Sequence, residues 1–203
     1  MTAATTRADV AAMQAQFGTA IKFVKESGGD TFVSVSLESL VPVLGFLKDH
    51  ADFQYDYFSE CVGVDYSTWG HARDWPEGEA KRFEVVYNLM SSKTYDRLFL
   101  KVTVNDGETV PTAKNVYLGA EYPEREIQDL YGVEFAGNGP VAGQRVLLPD
   151  DWVGYPLRKE YPLGGEDVLF AQGTYGPAVE DISMPHAGES FEGKTGSSDT
   201  SGR

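Results

Sequence analysis

Cysteine is nearly missing from this chain. Among 203 residues there is one, Cys61. No intrachain disulfide can form, which fits a reducing compartment. One thiol also cannot hold an iron–sulfur cluster, which usually takes four. Histidine is scarce too: His50, His71 and His186 lie far apart and in no metal-ligand spacing. Positive charge is in short supply, with 17 Lys and Arg against 31 Asp and Glu, a net charge of −14. Such a surface repels nucleic-acid phosphates and anionic headgroups. It keeps a protein dispersed, and it is also open to a basic partner. No apolar run reaches the roughly 18–20 residues of a membrane-crossing helix. The opening MTAATTRADV has no basic segment leading into an apolar one, so no secretory signal is expected. Phosphate-loop, nucleophile-elbow and metal-triad patterns are absent, as is any internal repeat.

What is present is enough for a core. Apolar residues make up 41% of the chain, and the length suits one domain with extensions or at most two small domains. Residues 7–17 are rich in helix formers. Two β-rich runs then flank Ser27-Gly28-Gly29-Asp30, a hairpin signal. Leu40, Val43, Leu44 and Leu47 recur at helical spacing. Pro42 suits a first turn, which puts the helix start near Ser39 as N-cap. Residues 53–66 are aromatic and β-branched, a strand with a bend expected at Gly63. Two period-2 runs follow a polar loop: Phe83, Val85, Tyr87, Leu89, and then Leu98, Leu100, Val102, Val104. Residues 105–120 read as loop. A helix is then expected with Pro123 in its first turn and its stop at Gly132, with Ile127, Leu130 and Tyr131 on its apolar face.

Beyond residue 133 regular patterning fades, yet aromatics persist among the glycines and prolines. Prolines stiffen a chain and aromatics need a surface to bury against. The segment therefore reads as an extended arm lying on its own domain or on a partner. The predicted class is α+β: a two-layer domain with a mixed sheet, in the order α-β-β-α-β-β-β-α, plus the C-terminal arm. The divisions are a core domain at 1–135, a docking arm at 136–185 and a disordered tail at 186–203.

The residues alone leave several readings open. Arg125 and Asp129 are spaced i, i+4 and can pair on the helix, worth about 0.3–0.5 kcal/mol if exposed. Equally, these charges simply face water. Arg158-Lys159 either balances Asp150, Asp151 and Glu160 or grips a carboxylate-rich partner. Glu124 with Asp129, or Asp150 with Asp151, is the acid–base pair of a free-standing hydrolase on another reading. Cys61 is either a redox site or a small core residue.

Three segments stand together: EREIQDLYGVEFAG at 124–137, RVLLPDDW at 145–152 and GYPLRKEYPL at 154–163. In that order they resemble the signature region of the 30-kDa subunit family of respiratory complex I, the NADH–quinone oxidoreductase. The motif-grade likeness spans about residues 121–163. A looser match in element order covers 7–120. The sequence departs at Asn138, where the family usually has histidine or lysine, and at Tyr155, where it often has histidine. A proton-carrying role at those positions is therefore not implied here.

The resemblance implies a structural subunit in the hydrophilic arm of a proton-translocating complex. That complex uses FMN, iron–sulfur clusters and quinone, and this chain binds none of them. The implied partners are the 49-kDa-type subunit, along which the arm lies, and the 20-kDa-type subunit that bears the terminal cluster. The implied place is the cytoplasmic face of the bacterial plasma membrane, reached only through the complex. Trp152, Tyr155, Leu157 and Tyr161 are the expected anchors, with Arg158 and Lys159 as polar contacts. Glu124, Arg125, Glu126, Asp129 and Gly132 are expected to brace the start of the arm, with Arg145 pairing to one of the carboxylates. A similar subunit also serves membrane-bound hydrogenases, a sister assembly that this chain alone does not separate.

Overall fold

Gly28 and Gly29 carry φ of +64° and +92°. Two successive positive-φ residues match the twist of a tight hairpin, and glycine adopts them without a Cβ penalty. They join β1 (Ile21–Ser27) to β2 (Asp30–Val35) in the computed structural model, which describes residues 7–76, 78–139 and 145–161. Around this hairpin stand α1 (Ala8–Phe17), α2 (Leu40–Asp49), β3 (Tyr57–Asp65), β4 (Phe83–Met90) and β5 (Arg97–Val104). The five strands form one mixed sheet in the order β1-β2-β5-β4-β3. Only the β2–β5 pair is parallel. α3 (Glu121–Tyr131) follows, so the three helices and the five strands of the main sheet come in the α+β order read from the sequence.

Both period-2 runs bury their alternating residues against α1 and α2 in one apolar core. From α3, Ile127 joins the same core. The opposite face is crossed by the loop between β3 and β4. Its Asp74 and Glu79 pair with Lys25 and Lys22 of β1, at 2.6 and 3.2 Å. Trp75 donates to buried Glu84 of β4 at 2.7 Å, and Lys101 of β5 pairs with the same carboxylate at 2.8 Å.

Three local expectations are corrected. α2 is preceded by a 3₁₀ turn at Leu37–Ser39, so Ser39 is already helical and its side chain caps nothing. The irregularity in β3 lies between Phe58 and Glu60, not at Gly63. Gly63 instead makes room for α3: a Cβ there would stand 3.0–3.1 Å from Tyr131 and Ile127. Residues 105–120 are not all loop. β6 (Thr109–Pro111) pairs in parallel with β7 (Glu134–Ala136), which lies just past α3. Three-residue strands are too short to show a period. β7 also straddles the expected domain division at 135.

Candidate docking site

A helix leaves its last four carbonyls without internal partners. In α3 the arm supplies most of them. The Gln128 carbonyl accepts from Gly132 N–H at 2.9 Å, within the helix end itself. Asp129 O accepts from Arg145 Nη1 at 3.1 Å. Leu130 O accepts from Leu157 N–H at 3.1 Å. Tyr131 O accepts from Arg158 Nε at 2.7 Å. Two of these donors are arginines, and a cation is favoured at the negative end of the helix dipole.

The Asp129 side chain completes the first clasp. Its Oδ1 pairs with Arg145 Nη1 at 2.9 Å. Its Oδ2 accepts the backbone N–H groups of Val146, Leu147 and Leu148 at 3.2, 2.8 and 3.0 Å. Burial alone would raise the pKa of this carboxyl. The N–H groups of Leu148 and Leu147, with Arg145 and Val146, outweigh it and hold the group below its ordinary value. Arg145 Nη2 reaches on to the carbonyls of Trp152 and Gly154, at 2.9 and 3.3 Å. One guanidinium thus ties the turn at 145–154 to itself and to α3.

A second clasp is built around Gly132. This residue ends α3 in the left-handed region, at φ +71°. It must also lack a Cβ, which would stand 2.5 Å from the Tyr155 ring and 2.8 Å from Arg158 Nη2. Arg158 stacks over that ring at 4.5 Å. Its fork takes both oxygens of Asp106, at 2.8 and 2.9 Å. Further along, Lys159 N–H donates to Asp65 at 3.0 Å, and Arg82 joins Asp65 to Glu160.

Glu124 points the other way, into the domain, and is fully buried. It accepts from Thr112 Oγ1 at 2.5 Å, Ala113 N–H at 2.7 Å and Asn138 Nδ2 at 2.9 Å. Burial pushes its pKa up, and these bonds offset only part of that. The carboxylate therefore joins α3 to the chain just after β6 and just after β7.

Residues 33–167 match the family model described as respiratory-chain NADH dehydrogenase, 30 Kd subunit. The chain belongs to that family. It is 38% identical to the NADH-quinone oxidoreductase C subunit of Roseiflexus castenholzii, over 79% of this chain and 86% of that one. It is 38% identical to the counterpart of the same name from Geobacter sulfurreducens, over 76% and 88%. A chain in the solved structure of an archaeal membrane-bound sulfane sulfur reductase, a respiratory membrane complex, shares the fold. Its TM-score is 0.57 at 22% identity, covering 76% of this chain and 84% of that one.

Among the motif residues of the 30-kDa family, Asp129, Gly132 and Arg145 converge on the arm as a unit. Glu124 serves a separate buried site. The Arg125–Asp129 pair that the i, i+4 spacing allows is not formed, because Asp129 is occupied by Arg145 and the 146–148 backbone. Arg125 lies over the Tyr122 ring instead, at 5.7 Å. Glu126 is half-buried on the helix. In the arm, Trp152, Tyr155, Arg158 and Tyr161 are half-buried, while Leu157 and Lys159 are exposed. Pro162, Leu163, the rest of the arm and the tail at 186–203 lie outside the described residues.

The Glu124–Asp129 form of the hydrolase reading finds no support in this geometry. Glu124 and Asp129 lie about 140° apart around the helix, and each is consumed by donors of its own chain. Cys61 is buried in the core, where burial pushes its thiol well above its ordinary value. Sequence reasoning missed Asp106, Asp65, Thr112 and the bonding role of Asn138. Asp106 sits in an Asn-Asp-Gly turn, and nothing in the local sequence points from there to Arg158. No helix of the described residues is long and apolar enough to cross a membrane.

Proposed function

We propose that this chain is a cofactor-free structural subunit of a proton-translocating NADH–quinone oxidoreductase. Its arm docks on the 49-kDa-type subunit, next to the cluster-bearing 20-kDa-type subunit, at the cytoplasmic face of the membrane. FMN, iron–sulfur clusters and quinone belong to other subunits on this reading. The lone buried thiol agrees, since a cluster needs about four cysteines.

The observation that carries the proposal is the clasped arm. Residues 145–161 are held on the C-terminus of α3 by Arg145 and Arg158, and three large apolar residues, Leu147, Val153 and Leu157, stand exposed along it. An arm fixed in advance loses less entropy when a partner covers it. The six arm residues then divide by task. Leu157 and Lys159 meet the partner directly. Trp152, Tyr155, Arg158 and Tyr161 shape the arm that presents them.

The test is co-purification. An N-terminally tagged chain is recovered from detergent-solubilised membranes and its companions identified. Recovery of the 49-kDa-type and 20-kDa-type subunits with NADH–quinone activity is expected. Leu157→Asp with Lys159→Glu is expected to strip the 49-kDa-type partner from the preparation while the chain stays folded. The same core with hydrogenase activity and no NADH-oxidising module would transfer the chain to the sister assembly. A chain that purifies alone would overturn the docking role.

A further inference from the structure

Ile127 faces the sheet from α3, packed toward Gly63 of β3. The side of α3 turned away from it carries an unusual set. Leu118, in the 3₁₀ turn leading into the helix, is 77% exposed, and Tyr122, one turn later, is 62% exposed. Arg125 comes next on the same helix line and lies over the Tyr122 ring. Asp129 ends the line, and the turn covering it presents Leu147, itself 56% exposed. From Tyr122 to Asp129 this line runs about 10 Å along the helix, at 1.5 Å per residue, with Leu118 just ahead of it.

Arg125 is the informative member. The chain has 31 acidic residues, yet among the described residues the Arg125 guanidinium has no carboxylate and no hydrogen-bond acceptor. Its Nε is buried without a partner, and so is Oε1 of Gln128, one turn further along. By contrast, Arg7, Arg73, Arg82, Arg145 and Arg158 are each spent on a carboxylate. A half-buried arginine costs free energy unless its donors are met, and arginine forks match carboxylates in two-point contacts. Tyrosine and arginine are also the types that dominate interface energies.

We infer that the outer face of α3, formed by Leu118, Tyr122 and Arg125 with Leu147 beyond, docks a second protein surface. That surface is apolar and carries an Asp or Glu that pairs with Arg125. A second copy of this chain is a poor occupant, since two bodies of net charge −14 repel. Leu118, Tyr122 and Arg125 lie on α3 and its lead-in turn and only Leu147 belongs to the arm, so substitution at Arg125 tests this face apart from Leu157 and Lys159.

The test places a photo-crosslinking amino acid, p-benzoylphenylalanine, at Tyr122 in cells that carry the whole assembly. A control places it at Tyr95, in the β4–β5 turn, which is 81% exposed. The expected result is one adduct from Tyr122, mapping to a partner segment with apolar residues and a carboxylate, and none to that segment from Tyr95. Arg125→Glu should lower recovery of that partner about tenfold or more, Arg125→Lys less, and lysine at the mapped carboxylate should restore the Glu variant. Thermal melting of the purified variants separates folding from docking. No adduct from Tyr122 in the intact assembly, an adduct only to a second copy, or unchanged recovery for folded Arg125→Glu would overturn the inference.

Discussion

The central strands and the arm are attached to the molecule by opposite means. In β4 the residues from Phe83 to Tyr87 are buried in succession, and the alternating residues of β5 are sealed into the core. In the arm, no described residue from 145 to 161 is buried. The arm is held by charge and hydrogen bonds: Arg145 on Asp129, Arg158 on Asp106 and Tyr131 O. Apolar burial is shared among many contacts and responds weakly to any single polar change. A polar clasp depends on a few atoms with defined partners. The sheet is therefore expected to unfold as a whole, and the arm to open by itself.

The largest effect is expected in the sheet. Leu100→Ala should cost about 2–5 kcal/mol of global stability, seen as a shifted midpoint in chemical denaturation. Arg145→Ala should behave differently. Removing one partner of a buried pair costs about 3–5 kcal/mol when the other charge stays buried. Here the arm can swing away and return Asp129 to water, which limits the loss to the free energy of opening. The denaturation midpoint should move little, while amide exchange at Val146–Leu148 and Leu157 accelerates sharply. If Arg145→Ala lowers global stability as much as Leu100→Ala, the arm is part of the core and the contrast fails.

The same division explains what could be read from the sequence. A period-2 run states its own burial, so Phe83, Val85, Tyr87 and Leu89 were legible as a core face from local spacing alone. The helix at 121–131, its stop at Gly132 and the pairing of Arg145 with an acid of that helix were legible too. The partner of Arg158 was not, because Asp106 is 52 residues away. Nor was the second duty of Gly132. Its φ requirement shows in a helix-ending glycine, but the Tyr155 ring against its Cα is a long-range contact with no local trace. Arg125 misled for a related reason: i, i+4 spacing permits a pair with Asp129, and the arm claims Asp129 first.

A smaller effect, and a sharper one, comes from Gly132→Ala. A left-handed backbone costs a non-glycine residue about 1–2 kcal/mol. The added methyl would also push on Tyr155 and Arg158, whose nearest atoms would stand 2.5 and 2.8 Å away. Helix end and arm should loosen together, with faster exchange at Leu157 and an intact β4–β5 core. A Gly132→Ala chain with full arm protection would show that Tyr155 has room to move, and that the close seat of the ring is not what fixes the arm.

The smallest expected effect is in pH, where two carboxyls of one helix should pull in opposite directions. Asp129 is held below an ordinary 3.8. The folded form therefore binds its proton less tightly than the unfolded form. Its contribution is complete above the ordinary value and disappears as pH falls through the lower folded value. Glu124 is pushed above an ordinary 4.5. The folded form binds that proton more tightly, so stability declines as pH rises from the ordinary value to the raised one. Each pKa unit of difference corresponds to about 1.4 kcal/mol. Carbon-13 titration of the two side-chain carboxyls should give the midpoint of Asp129 below that of Glu124 by more than their ordinary difference. Arm exchange should follow the Asp129 midpoint, since its proton breaks the seat of the 146–148 turn. It should ignore the Glu124 midpoint, since that carboxyl binds Thr112, Ala113 and Asn138 inside the domain. Arm opening that follows Glu124 instead would mean that the buried site and the clasp are coupled through α3, and that the arm is less independent of the core than its polar attachment implies.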